Sequence, residues 1–306
     1  MVDDPGAGPP DPEELEATAA TATAEIAPRT TVGAVHLTVT DLQRSIRYYE
    51  QAIGLAVVDE APGRATLGAG GRALIVLVEE LDARPAVGYT GLYHFALLVP
   101  ERRDLAAWLA HAVRNSVPLS GVADHFVSEA LYLSDPDDHG IEIYWDRPRE
   151  RWEGLVGERL TTMPLDVEGL LHEIGDPRTA PFDGLATGTV MGHIHLKVAD
   201  IPRTVAFYRD VLGFGLMASL GTQAAFLAAG GYHHHIGANT WESGGAPPPP
   251  PKSAALRRAT IVLPDETERR RLVDRLAARG HPVEPDGPDP VVRDPSGNPL
   301  ALAVAG

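Results

Sequence analysis

Val35-His36-Leu37-Thr38-Val39-Thr40-Asp41-Leu42 and Ile194-His195-Leu196-Lys197-Val198-Ala199-Asp200-Ile201 are one pattern written twice. The copies are 159 residues apart, and the offset holds downstream. Ser45, Tyr48-Tyr49 and Ile53-Gly54-Leu55 answer to Thr204, Phe207-Tyr208 and Leu212-Gly213-Phe214. Self-similarity at a fixed spacing points to a repeated structural unit. Each copy reads as an alternating strand, an Asp able to cap the next helix, an amphipathic helix, and a Gly past its end. Three short strands follow, such as Arg64 to Leu67 and Ala73 to Val78.

Two weaker copies complete the set. Tyr93 to Pro100 reads as a strand, Asp104 to Asn115 as a helix, and strands run on to Trp145. Likewise Ala259 to Leu263 is a strand and Asp265 to Arg279 a helix, and two strands between Val291 and Val304 flank Asp294-Pro295-Ser296-Gly297. The expected class is α+β, built from four βαβββ modules. Residues 1–31, rich in Ala, Thr, Pro, Glu and Asp, read as a mobile tail with a short helix near Pro12 to Ala20. Modules one and two occupy 32–146, a link spans 147–187 with a helix near Val167 to Glu173, and modules three and four occupy 188–306. Pro247 to Pro251 makes a stiff extended connection.

Composition narrows the chemistry. The 306 residues suffice for two compact units with a sizeable core. No run approaches the roughly 20 apolar residues of a membrane span. The formal net charge of −16, without a basic cluster, makes nucleic acid a poor partner. Cysteine is absent, so disulfides, Cys-bound zinc and thiol catalysis are excluded. His and carboxylates remain as the strong metal ligands. The N-terminus lacks a secretory pattern, and a cytoplasmic location is expected.

The segment His125 to Glu142 carries the chemistry. Leu131 and Tyr132 lie in an apolar run, Asp135-Pro136-Asp137-Asp138 reads as a turn, and Ile141 to Trp145 reads as the returning strand. Glu142 sits between two isoleucines. A carboxylate in such a strand faces either water or a cavity, and in a cavity a metal ion is one of the few partners that stabilises it.

This stretch resembles the signature of the extradiol ring-cleavage dioxygenases: a His, five to seven residues, an apolar residue, Tyr, two residues, Asp-Pro, then Glu. His125, Leu131, Tyr132, Asp135, Pro136 and Glu142 fall in place. Ala123 and Asp138 depart from it, both at flanking or turn positions. Over about residues 32 to 304, the four modules resemble the vicinal oxygen chelate (glyoxalase–bleomycin resistance) superfamily. That resemblance implies modules paired into two open barrels, with a metal-binding His on a module's first strand and a Glu on its last.

Aligned on the first strand, that His position is Ala34, His94, His193 and Arg258 in the four modules; the Glu position is Glu142 in module two and Ala301 in module four. The implied metal ligands are therefore His94, Glu142 and His193. Two His and a carboxylate form the facial triad of non-haem Fe(II) oxygenases, and Mn(II) would satisfy the same ligands. Pairing module two with three assembles this set in one catalytic barrel, whereas consecutive pairing would have to recruit His36. His195, matched by His36 in a module without ligands, reads as a supporting residue. His111, His139, His172 and His281 read as surface residues.

The resemblance also places a catalytic His in Tyr232-His233-His234-His235-Ile236-Gly237. His234 is the expected acid/base, with His233 and His235 as near alternatives. On a strand, His233 and His235 would share a face and His234 take the other. His125 is expected to hydrogen-bond dioxygen or substrate, and Tyr132 a substrate oxygen. The implied activity is that of a catechol 2,3-dioxygenase-like oxidoreductase, with a catecholic small molecule and O2 as partners and a homo-oligomer compatible with it. A glyoxalase-like lyase or isomerase, and a metal-free antibiotic-binding protein, are the other functions the superfamily offers.

Overall fold

The computed structural model describes residues 25–306. The helix expected near Pro12 to Ala20 lies outside them. Module one comprises β1 (Val35–Val39), α1 (Leu42–Tyr48), β2 (Ala56–Ala61), β3 (Arg64–Ala69) and β4 (Arg72–Glu79). Module two comprises β5 (Gly91–Leu98), α2 (Arg102–Arg114), β6 (Gly121–Asp124), β7 (Ser128–Ser134) and β8 (Gly140–Asp146). Module three comprises β9 (Val190–Lys197), α3 (Ile201–Val205), β10 (Gly215–Leu220), β11 (Ala224–Ala228) and β12 (Ile236–Asn239). Module four comprises β13 (Leu256–Leu263), α4 (Glu266–Ala278), β14 (Val283–Glu284), β15 (Val291–Arg293) and β16 (Pro299–Val304).

Local chemistry sets the boundaries. Asp41, Asp200 and Asp265 each accept a hydrogen bond from the backbone N–H three residues on, satisfying a donor that the first helical turn leaves free. The chain continues from α1 and α3 into a wider π-helical turn, Tyr49–Ile53 and Ala206–Val211. Past these turns stand Gly54 and Gly213, at φ values of +87° and +89° that disfavour a side chain.

Each sheet curls into an open half-barrel. One has the strand order β14-β15-β16-β13-β1-β4-β3-β2, and the other β10-β11-β12-β9-β5-β8-β7-β6. Modules four and one thus share one sheet, and modules three and two share the other. The helices cover the sheets, and a continuous apolar core runs through all four modules.

Modules one and two, and likewise three and four, meet differently, through the Asp-Pro turn. Asp135 Oδ1 accepts from the N–H groups of Asp137 and His139, closing the turn on itself. Tyr49 of module one donates its hydroxyl to Asp135 Oδ2 at 2.9 Å, and Tyr208 of module three donates to Asp294 at 3.3 Å. Thr40 N–H donates to Asp137 and Ala199 N–H to Ser296 Oγ. His139 Nε2 donates to the Thr38 carbonyl at 2.9 Å, and Asn298 to that of Lys197. Every one of these pairs repeats at the sequence offset of 159. Asp138 takes φ +64°, which explains why a turn that usually wants Gly tolerates it: Asp enters the left-handed region more readily than most residues.

Three expectations need correction. Residues 25–31, assigned to a mobile tail, are packed: Ile26 is 1% exposed, its N–H donates to Gly213, and Thr31–Val32 pairs with Ile261 and Val262 of β13. Ile26 and Val32 give the segment apolar surface to bury. His139 is buried, because the turn carrying it docks on module one. His111 and His281, also read as surface residues, are half-buried: His111 stacks on Phe182 at 4.2 Å and bonds the Gln51 carbonyl, and His281 packs on Phe207 at 5.1 Å. In the link, Val167–Leu171 forms the expected helix and Val156–Arg159 an additional one. Among the described residues, no helix is long and apolar enough to cross a membrane.

Tyr49 is fully buried and its hydroxyl meets a carboxylate, so Tyr49→Phe should cost about 1.5–3 kcal/mol of unfolding free energy in urea titrations. An unchanged midpoint would show that the turn does not depend on this bond. Burial would raise the Asp137 carboxyl, but its bonds to Arg44 and Thr40 outweigh it and hold it below the ordinary range. Its contribution to stability is therefore complete above the unfolded carboxylate pKa, about 3.9, and is lost as pH falls through the lowered folded value. Asp137→Asn should flatten the acid limb of a stability-versus-pH curve, and a limb as steep as wild type would refute this.

Candidate metal centre

The site grows out of strand register. β5 and β9 run antiparallel at the middle of their sheet, with β8 parallel to β5 and β12 parallel to β9 on the outer sides. Ala96 of β5 stands between Glu142 on one neighbour and His193 on the other. Its methyl group leaves room for the carboxylate and the imidazole to meet above it. His94, two residues earlier on the same face, lies between Gly140 and His195.

Three side chains converge there. His193 Nε2 and His94 Nε2 each lie 3.0 Å from the same Glu142 oxygen, Oε2. All three residues are buried, and their ligand atoms fall within 4.8 Å of one another. His94 Nε2 makes no hydrogen bond despite that proximity. Its ring is aimed beside the carboxylate rather than at it, as atoms sharing a central ion are. Donors about 2.0–2.2 Å from one ion at roughly right angles would themselves lie about 3 Å apart, so the set fits a divalent metal. Burial alone would raise the Glu142 carboxyl, yet the His193 imidazole bonded to it holds it well below the usual range. Burial holds His193 in its neutral, ligating form.

Tyr132 of β7 stands opposite Glu142. Burial, then the Glu142 charge, raises its hydroxyl well above the ordinary value, so it is a donor. His125 lies 2.7 Å from it through Nε2, while His125 Nδ1 donates to the Thr161 carbonyl at 2.8 Å. A carbonyl only accepts, so Nδ1 carries the proton and Nε2 accepts from Tyr132. The link thus orients a site residue, since Thr161 belongs to it. Met163 anchors this part of the link by backbone pairing with Asp124.

The His run differs from its sequence reading. β12 begins only at Ile236, so His233 to His235 lie in a loop and strand alternation does not govern them. His235 turns away: its Nδ1 accepts from Ala229 N–H, and burial, then His233, lowers its pKa to about 3. His234 packs on His193 with ring centroids 4.1 Å apart and on Phe226 at 5.1 Å. Burial, then the neighbouring imidazoles, keeps His234 neutral. His233 is fully buried and bonds both His234 and Asp146.

His195 packs 4.9 Å from His94 and takes a bond from Asn239. A Cβ on Gly237 would come within 2.8 Å of its ring, so Gly is required beneath it. His36 lies in the other sheet, paired with Arg258, and burial, then Arg258, lowers its pKa to about 4. Sequence reading missed Asp146, Tyr144 and Tyr232. The signal was present: Glu142, Tyr144 and Asp146 alternate onto one face of β8.

A family model described as the Glyoxalase/Bleomycin resistance protein/Dioxygenase superfamily matches residues 31–143 and 190–302. A catechol-2,3-dioxygenase from Bacillus subtilis (strain 168) is 42% identical over 272 residues, covering 87% of this chain and 94% of that protein. Among solved structures, glyoxalase I from Zea mays aligns with a TM-score of 0.55 at 16% identity, over 89% of this chain and 92% of that one. The cppA protein from Streptococcus pneumoniae TIGR4 aligns with a TM-score of 0.54 at 11% identity, over 92% of this chain and 100% of that one. At these identities the two structures share the fold.

Elemental analysis of His94→Ala, Glu142→Ala and His193→Ala should each show loss of the bound metal, whereas His36→Ala should retain it. Full metal content in all three variants, or loss confined to His36→Ala, would show that the ion is held elsewhere.

Proposed function

For this chain, which belongs to the glyoxalase/bleomycin resistance protein/dioxygenase superfamily and is an oxidoreductase of the dioxygenase kind, we propose that the reaction is extradiol cleavage of a catechol by O2. The reading rests on one observation above all: a carboxylate oxygen buried 3.0 Å from two imidazole nitrogens, on a chain 42% identical to a catechol-2,3-dioxygenase. His94, Glu142 and His193 would hold Fe(II), with Mn(II) accepted by the same donors. When bound, the metal supplies Lewis acidity and a common template for catechol and dioxygen.

The protein residues then have separate tasks. With three protein donors, a divalent metal held by His94, His193 and Glu142 would keep further coordination positions for reactants. Tyr132, held protonated, can donate a hydrogen bond to a catechol oxygen. His125, whose Nε2 accepts from Tyr132, can instead accept from a substrate hydroxyl. His234, neutral and packed against His193, can take a catechol proton at Nε2 and return it when the ring opens. Tyr93, Trp241 and Phe226 give the site apolar surface suited to an aromatic ring. The glyoxalase-like reading is weaker, since β12, the strand that would supply a basic Glu, carries none over Ile236–Asn239 and is preceded by imidazoles.

An anaerobic preparation loaded with Fe(II), then exposed to O2 and a panel of catechols, should give the yellow ring-opened product. His234→Ala should keep its metal and lose turnover by roughly 10²–10⁴, the usual worth of a positioned acid/base. No coloured product from any catechol with the metal bound would sink the reading. Turnover lost in His235→Ala instead would move the acid/base role to that residue.

A further inference from the structure

Behind His234 runs a hydrogen-bonded chain that the metal set does not use. Asp146 lies at the end of β8, with its side chain 19% exposed. Its Oδ1 is 2.9 Å from His233 Nε2, and its Oδ2 accepts from Tyr232 at 2.7 Å. The Tyr232 hydroxyl is 2.8 Å from that of Tyr144. His233 Nδ1 in turn lies 2.8 Å from His234 Nδ1. Among the described residues, His234 Nε2 has no protein partner. Trp152 packs on the His233 ring at 5.5 Å and helps close the chain from water.

With Asp146 ionised and both imidazoles neutral, donor and acceptor capacities set where the protons sit. An ionised carboxylate only accepts, so His233 donates through Nε2. A neutral imidazole has one N–H, so His233 Nδ1 is then bare and accepts. The 2.8 Å contact between the two Nδ1 atoms needs one proton, and His234 must supply it. That leaves His234 Nε2 as a lone pair, on the ring that packs against His193.

We propose that Asp146 and His233 are positioning residues that hold His234 as its Nδ1–H tautomer, so that Nε2 is the nitrogen available to a catechol hydroxyl. The inference rests on the reading of His234 as the acid/base. A proton taken from the substrate oxygen by Nε2 lets the Nδ1 proton of His234 pass to His233 Nδ1. The positive charge then rests between His233 and Asp146, one residue farther from the metal ligands. The return of both protons restores the starting tautomers, so the chain is unchanged over a cycle.

The test is ¹⁵N NMR of histidine-labelled protein loaded with diamagnetic Zn(II), assigned with His233→Gln and His234→Gln. Wild type should show His234 protonated at Nδ1 and His233 at Nε2. His234 protonated at Nε2 in the resting protein would overturn the proposal. In Asp146→Ala the His233 proton loses its acceptor, and a second His234 tautomer should appear. Turnover of the Fe(II)-loaded variant should fall roughly 10- to 100-fold, the usual worth of a partner orienting a site imidazole, with metal content and the KM for catechol unchanged. Tyr232→Phe, which spares the His233 bond, should keep the wild-type tautomer. A single Nδ1–H tautomer with wild-type turnover in Asp146→Ala would also overturn it. Should Asp146→Ala not fold, the wild-type spectrum still decides. The spectra do not depend on turnover, so failure of the ring-cleavage reading would show separately, as a metal-loaded wild type that opens no catechol.

Discussion

Glu142 is a carboxylate 2% exposed in the middle of a sheet, and it constrains what surrounds it. Taking an unpaired carboxylate out of water is costly, and it would ordinarily neutralise by taking up a proton. Here two imidazoles from two other strands face one of its oxygens, and the bond with His193 keeps it ionised. Those imidazoles must be largely desolvated themselves, which favours the neutral, ligating form of His193. The result is one carboxylate and two imidazole donors around a point, an arrangement whose natural completion is a cation. Ala96 and Gly237 follow from the same demand, since larger side chains at these register positions would fill the space of the neighbouring imidazoles and carboxylate, whereas a Cβ on Gly140 would strike the Tyr93 backbone carbonyl.

That convergence depends on which modules share a sheet. His94 and Glu142 come from module two and His193 from module three. They meet because β5 and β9 pair at the sheet centre, across the 147–187 link. The pairs one–two and three–four are held by another device, the Asp-Pro turn gripped by the first strand and helix of the module before it. Because this grip repeats with the sequence offset, each half of the chain carries its own copy of it. The link then has two tasks. It spans the halves, and through Thr161 it sets the tautomer of His125.

The module pattern was legible because strand alternation, capping Asp and terminal Gly are local signals. The pairing of Glu142 with His94 and His193 was legible only with the superfamily resemblance, since nothing local says which strands become neighbours. The His run shows the limit. Alternation assigned faces to His233, His234 and His235 as strand residues, but the strand starts after them and the loop geometry is set by what each imidazole bonds. His139 was misread for a related reason: a turn is exposed by default, unless another module covers it, as module one does here. The packing of Ile26 escaped because the composition of a segment does not reveal one apolar residue reaching a core already formed by others.

The two sheets compare one scaffold with and without a metal set. Where one has His193, His94 and Glu142, the other has Ala34, Arg258 and Ala301. Both sheets keep the same strand order and the same turn docking, so the curved sheet does not need a metal to form. The chemistry is therefore an addition to the fold rather than its cause. What distinguishes the metal-holding sheet is a set of polar side chains whose burial each depends on another: Glu142 on its two imidazoles, Tyr132 on His125, His234 on His233, and His233 on Asp146. Such a set stabilises the protein only when complete, because a single missing partner leaves a buried polar group unpaired.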